Sequence, residues 1–357
     1  MNCLEKQPVN TGRQLEVDCA KFICLVGMVI VHCFDVFVSF SDTSSSIQYV
    51  FLIVLNSIFG AGTFMFCMGI GIAYSRNNTP ARLMKRGVKL FLLGYLLNLL
   101  CALSYLLLLR DVALFVTYLV GLDILQFAGL ALFLFGLLRR LRCPDWGIGI
   151  LALVLSGVGS LICGLDLGNP AANILCGLFI GSFDYEWMTG GIFPLFNWFI
   201  FVVAGYLFAQ YLLRRCQNKA KLYWPLSGAA AIVLAAYQGI AIPRRLGMMG
   251  SVLRFHHITL PEALIGLAGA VFALGVYALL SRRLPKRVQA GITEVSRNIS
   301  TIYCIQWVVL AWAVSIWVLC GKPAFSDPAI IGIGLVLFAL CAGAAHAIAH
   351  RRARKKQ

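Results

Sequence analysis

The long apolar runs constrain this chain more than any other feature. Phe51 to Tyr74, Val88 to Leu109, Trp146 to Cys163 and Ile299 to Cys320 each approach or exceed the roughly 20 residues that span a bilayer as a helix. Charged residues make up only 12% of the 357 and apolar residues 60%, whereas a soluble domain carries about 25% charged residues. Most of the chain therefore has little contact with water. The expected fold is all-α: a polytopic transmembrane helix bundle of about ten helices. Their expected positions are near 17–40, 48–75, 87–109, 113–138, 146–164, 191–213, 223–241, 260–281, 299–320 and 328–349. One integral membrane domain covers 1–357, and 350–357 forms a short basic tail. The stretch Ala171 to Ile180 reads as a short helix in or re-entering one face. The first apolar span is long and lacks a small-residue cleavage site, so no cleavable signal peptide is expected.

Net charge is +16. In a soluble protein that would point to nucleic acid, but here placement argues against it. The basic residues cluster between the apolar spans, and 25 of the 30 Lys and Arg fall on one side. That asymmetry is the positive-inside pattern, and it puts both termini in the cytoplasm. The 13 cysteines lie mostly within apolar spans, where Cys acts as a small apolar residue. No zinc-type spacing appears, and no metal site is expected. Cys163 and Cys176 flank an outer loop and could pair.

The first span carries a polar stripe: Arg13, Glu16, Asp18 and Lys21, then ten residues, then His32 and Asp35. Eleven helical steps return to within about 20° of the start, so Lys21 and His32 share a face. Asp18 and Asp35 fall within about 60° of His32. His32 lies roughly 16 Å along the helix from Lys21, near mid-bilayer. A charge at the centre of a span costs about 2.5–3.5 kcal/mol, so such residues usually mark function. Asp18 and Lys21 could simply pair at the membrane edge, but that does not account for His32. Histidine is the usual general base near neutral pH, and a carboxylate one turn away could orient it.

Other polar residues fall within spans or at their ends. Asn98 and Asn197 read best as interhelical hydrogen-bonding groups. Asp123, Gln126, Glu262, Tyr303 and Gln306 are further candidates. The densest basic cluster is Arg82, Lys85, Arg86 and Lys89. Alone it reads as topology and anionic-lipid contact, although such a cluster could also hold cofactor phosphates. On the far side, Arg254, His256 and His257 run against the charge asymmetry. Two adjacent histidines rarely aim at one ion, so an acidic or sugar ligand is the better expectation there.

Taken in order, several segments carry a resemblance. They are Arg13, Glu16, Asp18, Lys21 and His32 followed by Asp35; Phe64 to Gly71; Arg86-Gly-Val-Lys89 to Gly94; Asp123 to Gly129; and Ser300 to Trp307. Together they resemble the transmembrane acyltransferase superfamily. It includes the acyltransferase-3 family and the bacterial heparan-α-glucosaminide N-acetyltransferase-like proteins. Lys21 and Lys89 stand where that group usually has Arg, and Gln306 where His is common. The resemblance implies a membrane acyltransferase that takes an acyl group, acetyl foremost, from cytosolic acyl-CoA. The acceptor would be a hydroxyl or amine of an extracytoplasmic glycan or a lipid-linked cell-envelope molecule. It implies His32, with Asp35 or Asp18, as the catalytic set, and Lys21, Arg82, Arg86 and Lys89 for the CoA phosphates. Asp123, Gln126, Arg254, His256, Tyr303 and Gln306 would meet substrate. A proton-coupled transporter or flippase, relaying protons through the His/Asp stripe, is the alternative.

Overall fold

The computed structural model describes residues 4–37, 60–76, 78–184, 189–246 and 257–354. It is a helix bundle. The helices are α1 (Leu15–Phe37), α2 (Ala61–Tyr74), α3 (Pro80–Ser104), α4 (Val112–Val120), α5 (Ile124–Arg140), α6 (Asp145–Ile162) and α7 (Pro170–Ile180). They continue as α8 (Leu195–Tyr211), α9 (Lys219–Leu246), α10 (Leu260–Ser281), α11 (Lys286–Arg297), α12 (Ile299–Leu319) and α13 (Asp327–Arg354). A two-residue antiparallel ladder pairs Phe183–Asp184 with Thr189–Gly190.

Seven of the described helices are long and apolar enough to cross a membrane, against about ten expected from the sequence. They are α1, α3 with its π-helical extension to Leu109, α6, α8 with its extension to Arg215, α10, α12 and α13. The expected second span is described only from residue 60, and the expected seventh lies within α9. The expected single span over 113–138 is broken at Gly121-Leu122-Asp123. Asp123 starts a new helix there, as its carboxylate accepts from the Ile124 N–H. Asn98 of α3 pins the break by donating to the Leu119 and Gly121 carbonyls at 3.3 and 2.6 Å. An apolar run thus conceals a cap, because one capping carboxylate outweighs the continuity of its neighbours. α7 has 11 residues and so spans about 16 Å, short of the hydrocarbon thickness.

α8 lies at the centre and is two-thirds buried. It meets α2 so closely that a Cβ on Gly69 would sit 2.0 Å from the Val202 carbonyl oxygen, and one on Gly205 2.0 Å from that of Phe66. Gly87 and Gly129 let α3 and α5 approach in the same way. Small residues at crossings are how apolar helices pack when lipid removes the hydrophobic drive between them. A second apolar cluster joins α1 to α12 and α13 through Val29, Cys33, Phe34, Ile302 and Leu337. Large apolar side chains on the outer faces, among them Leu92, Val154 and Leu340, are exposed, as a lipid-facing surface requires.

Both termini share one end of the bundle. Leu4 bridges to Cys216, and Lys219 grips the Glu16 carboxylate at 2.7 and 3.0 Å. Glu294 of α11 meets His346 of α13. At the other end, Asn197 donates to the Ile258 carbonyl at 2.6 Å, and the Leu260 N–H donates to Ser160 at 2.6 Å. Glu262 accepts from the N–H and hydroxyl of Thr259 and so caps α10. Cys163 and Cys176 are free thiols, so the expected pairing is not formed.

Candidate active site

α1 holds His32 half-buried against α12. On α12, Tyr303, Gln306 and Trp307 recur at the i, i+3, i+4 spacing that puts residues on one helical face. All three meet the imidazole. Gln306 Nε2 lies 2.9 Å from His32 Nδ1. The Trp307 ring lies over the imidazole at a centroid distance of 4.2 Å and a 34° tilt. Tyr303 stands edge-on to it at 6.5 Å.

Tyr303 extends the cluster to α5. Its hydroxyl donates to Asp123 Oδ2 at 2.7 Å. Asp123 Oδ1 accepts from the Ile124 N–H at 2.6 Å. In return Gln126 Oε1 accepts from the Asp123 N–H at 3.2 Å, completing a capping box. The half-buried carboxylate is thus stabilised by the open N–H groups and positive end of a helix. Gly94 leaves room for Gln126: a Cβ there would come within 3.0 Å of the amide. The structure therefore gathers His32, Tyr303, Gln306, Asp123 and Gln126, which are distant in sequence. It adds Trp307, to which sequence reasoning gave no role. Its place one residue after Gln306 was visible, but stacking on His32 depends on how α1 meets α12.

The carboxylates expected beside His32 are placed differently. Asp18 is 14 residues away on α1, about 21 Å along the axis. Its oxygens are held by Arg13 at 2.5 and 2.9 Å and by Ser296 at 2.7 Å. It therefore anchors α1 to α11 and does not orient the histidine. Asp35, one turn further along α1, is exposed. The side chain on Nδ1 is an amide from α12, the helix that packs over the ring.

Lys21 is half-buried, with Nζ 4.0 Å from where a Gly71 Cβ would lie. The short connection 75–79 carries the chain from α2 to α3, so the basic turns of α3 begin at the same end. Arg82, Lys85, Arg86 and Lys89 are exposed there. Lys21 reaches toward that end beside Gly71 of α2. Arg254 and His256 lie outside the described residues. Their neighbour His257 donates from Nε2 to the Gly191 carbonyl at 2.9 Å, and burial holds its pKa below the ordinary value.

The model of the family described as heparan-alpha-glucosaminide N-acetyltransferase, catalytic, matches residues 13–239. The match takes in His32, Asp35, the basic turns of α3, Asp123 and Gln126, and ends before α12. No curated protein sequence matches the chain. With well over half its length matched, the chain belongs to the heparan-alpha-glucosaminide N-acetyltransferase catalytic family.

Proposed function

We propose that this protein is a cell-membrane acetyltransferase. It takes the acetyl group from acetyl-CoA on the cytoplasmic side and delivers it to a hydroxyl or amine of a glycan or lipid-linked envelope acceptor on the other. The observation that carries the reading is the setting of His32: a half-buried imidazole on an apolar helix, met at Nδ1 by Gln306 and covered by Trp307. The basic asymmetry of the sequence supports a cytoplasmic location for the end bearing the termini. The exposed guanidiniums and ammoniums of Arg82, Arg86 and Lys89 suit the phosphates of CoA, Arg through its paired N–H donors.

His32 serves as the general base. The acceptor oxygen or nitrogen attacks the thioester carbonyl carbon while Nε2 takes its proton. The C–S bond breaks, the new C–O or C–N bond remains, and the proton passes from the imidazolium to the departing thiolate. Such proton transfer contributes about 10²–10⁴-fold in rate. Asp123, with Tyr303, fixes the wall opposite α1, where the acceptor is expected to lie.

The test uses protein reconstituted in vesicles with acetyl-CoA on one side and an amino-sugar or polysaccharide acceptor on the other. Labelled acetyl should cross to the acceptor with wild-type protein and fall by at least about 10²-fold with His32→Ala. Undiminished transfer by His32→Ala would overturn the assignment.

A further inference from the structure

A groove of about 210 Å³ runs between α9 and α10 at the end that carries the termini. Small residues line much of its floor, Ser227, Gly228 and Ala231 on α9 with Gly275 and Ala278 on α10, beside the larger Tyr223 and Phe272. Its mouth is flanked by Lys219, Trp224 and Arg282. Lys219 is neutralised by Glu16. Arg282 is exposed and has no carboxylate partner among the described residues, and Arg283, next to it in the chain, is also exposed. Trp224 is 65% exposed, in the manner of the aromatic residues that sit at headgroup level. Beyond the mouth, the outer faces of the same two helices show exposed Ile232, Leu279 and Leu280.

We propose that this groove binds one anionic phospholipid, with an acyl chain on the small-residue floor and its phosphate beside Arg282. Three features select that occupant. The floor is apolar and opens onto a lipid-facing surface, which a free phosphate would not use. The uncompensated cations at the mouth favour an anionic over a zwitterionic headgroup. The space admits a hydrocarbon chain, but not a helix, whose diameter with side chains is about 10–12 Å. The proposal is independent of the transfer chemistry at His32.

Native mass spectrometry of the purified full chain, offered phosphatidylglycerol and phosphatidylcholine in equal amounts, tests it. One phosphatidylglycerol should be retained in preference. Arg282→Gln should weaken that retention about fivefold, or about 1 kcal/mol, the contribution of one basic residue near an anionic surface. A Cβ on Gly228 meets nothing within 4 Å, so Gly228→Leu should fill the groove and abolish retention. Its thermal unfolding should stay at or above that of wild type, since Leu is the better helix former. Equal retention of the two lipids would overturn the proposal. So would full retention by either variant, or occupation of the groove by CoA or by a second copy of the chain.

Discussion

Gln306 and His32 face each other across α12 and α1, with Nε2 of the amide 2.9 Å from Nδ1 of the ring. Gln306 is fully buried, and its Oε1 has no hydrogen-bond partner among the described residues. Two arrangements satisfy the pair. With the amide N–H donating to Nδ1, the ring proton sits on Nε2. With the amide turned over, its carbonyl accepts from Nδ1–H and Nε2 keeps its lone pair. Only the second leaves Nε2 able to take a proton from an acceptor.

The first prediction follows from that choice. Gln306→Leu removes the acceptor at Nδ1, so kcat should fall on the order of tenfold, part of the range general base catalysis spans. Gln306→Glu keeps an acceptor there and should retain most of the activity. Steady-state kinetics with acetyl-CoA would separate the two variants. Equal losses in both would mean that Gln306 packs and does not set the tautomer.

Tyr303 and Asp123 should behave as one unit. The Tyr303 hydroxyl is the side-chain donor on the Asp123 carboxylate, which also caps α5. Tyr303→Phe leaves that oxygen short of a donor, and Asp123→Asn weakens both the bond and the cap. The double variant should therefore lose less than the sum of the singles, with a coupling of about 0.5–3 kcal/mol. Thermal unfolding of the four proteins in one detergent measures it. Strict additivity would show that the link has no energetic weight.

Asp18 should matter to stability and not to the chemical step. Its carboxylate is buried and takes two bonds from Arg13, one from Ser296 and a longer one, 3.4 Å, from Thr293. Hydrogen bonds to charged groups contribute about 1.5–3 kcal/mol, and the half-exposed Arg13 puts the expected loss at the lower end. Asp18→Asn should lower the unfolding midpoint while kcat at a permissive temperature stays near wild type. A catalytic loss without a stability loss would return Asp18 to the active site.

The helical class and the polar character of α1 were legible from the apolar runs and from the few charges within them. The residues that gather at His32 were legible as types, since buried His, Asp, Gln and Tyr are costly within spans and so are conspicuous. Their pairing was not. Helical periodicity places Asp18, Lys21 and Asp35 relative to His32 on one helix, but cannot say which other helix covers the ring. That is why a carboxylate was expected where Gln306 lies. The break at Asp123 was hidden for a related reason. Gly121, Leu122 and Asp123 interrupt an apolar run too briefly to register in composition, yet one capping carboxylate and Asn98 are enough to end α4 and begin α5. Asp18 shows the limit from the other side. Its sequence position suited a membrane-edge pair, but the partners turned out to be Arg13 and two hydroxyls on α11.

The end of the bundle away from the termini should loosen in acid. His257 joins the segment before α10 to the chain at Gly191 through its Nε2–H. Burial lowers its pKa below the ordinary 6.5, and the bond to the Gly191 carbonyl offsets this only in part. Because the folded pKa lies below the unfolded one, the unfolded segment binds the proton first. The stability the neutral ring contributes is therefore full above about pH 6.5 and is lost as pH falls through the folded value. Amide hydrogen exchange, corrected for its intrinsic pH dependence, should show protection over 189–193 and 257–260 declining between about pH 7 and pH 5. In His257→Gln, which keeps a donor but does not titrate, the protection should be nearly flat across that range. If wild type and variant decline in parallel, some other group controls this end of the bundle.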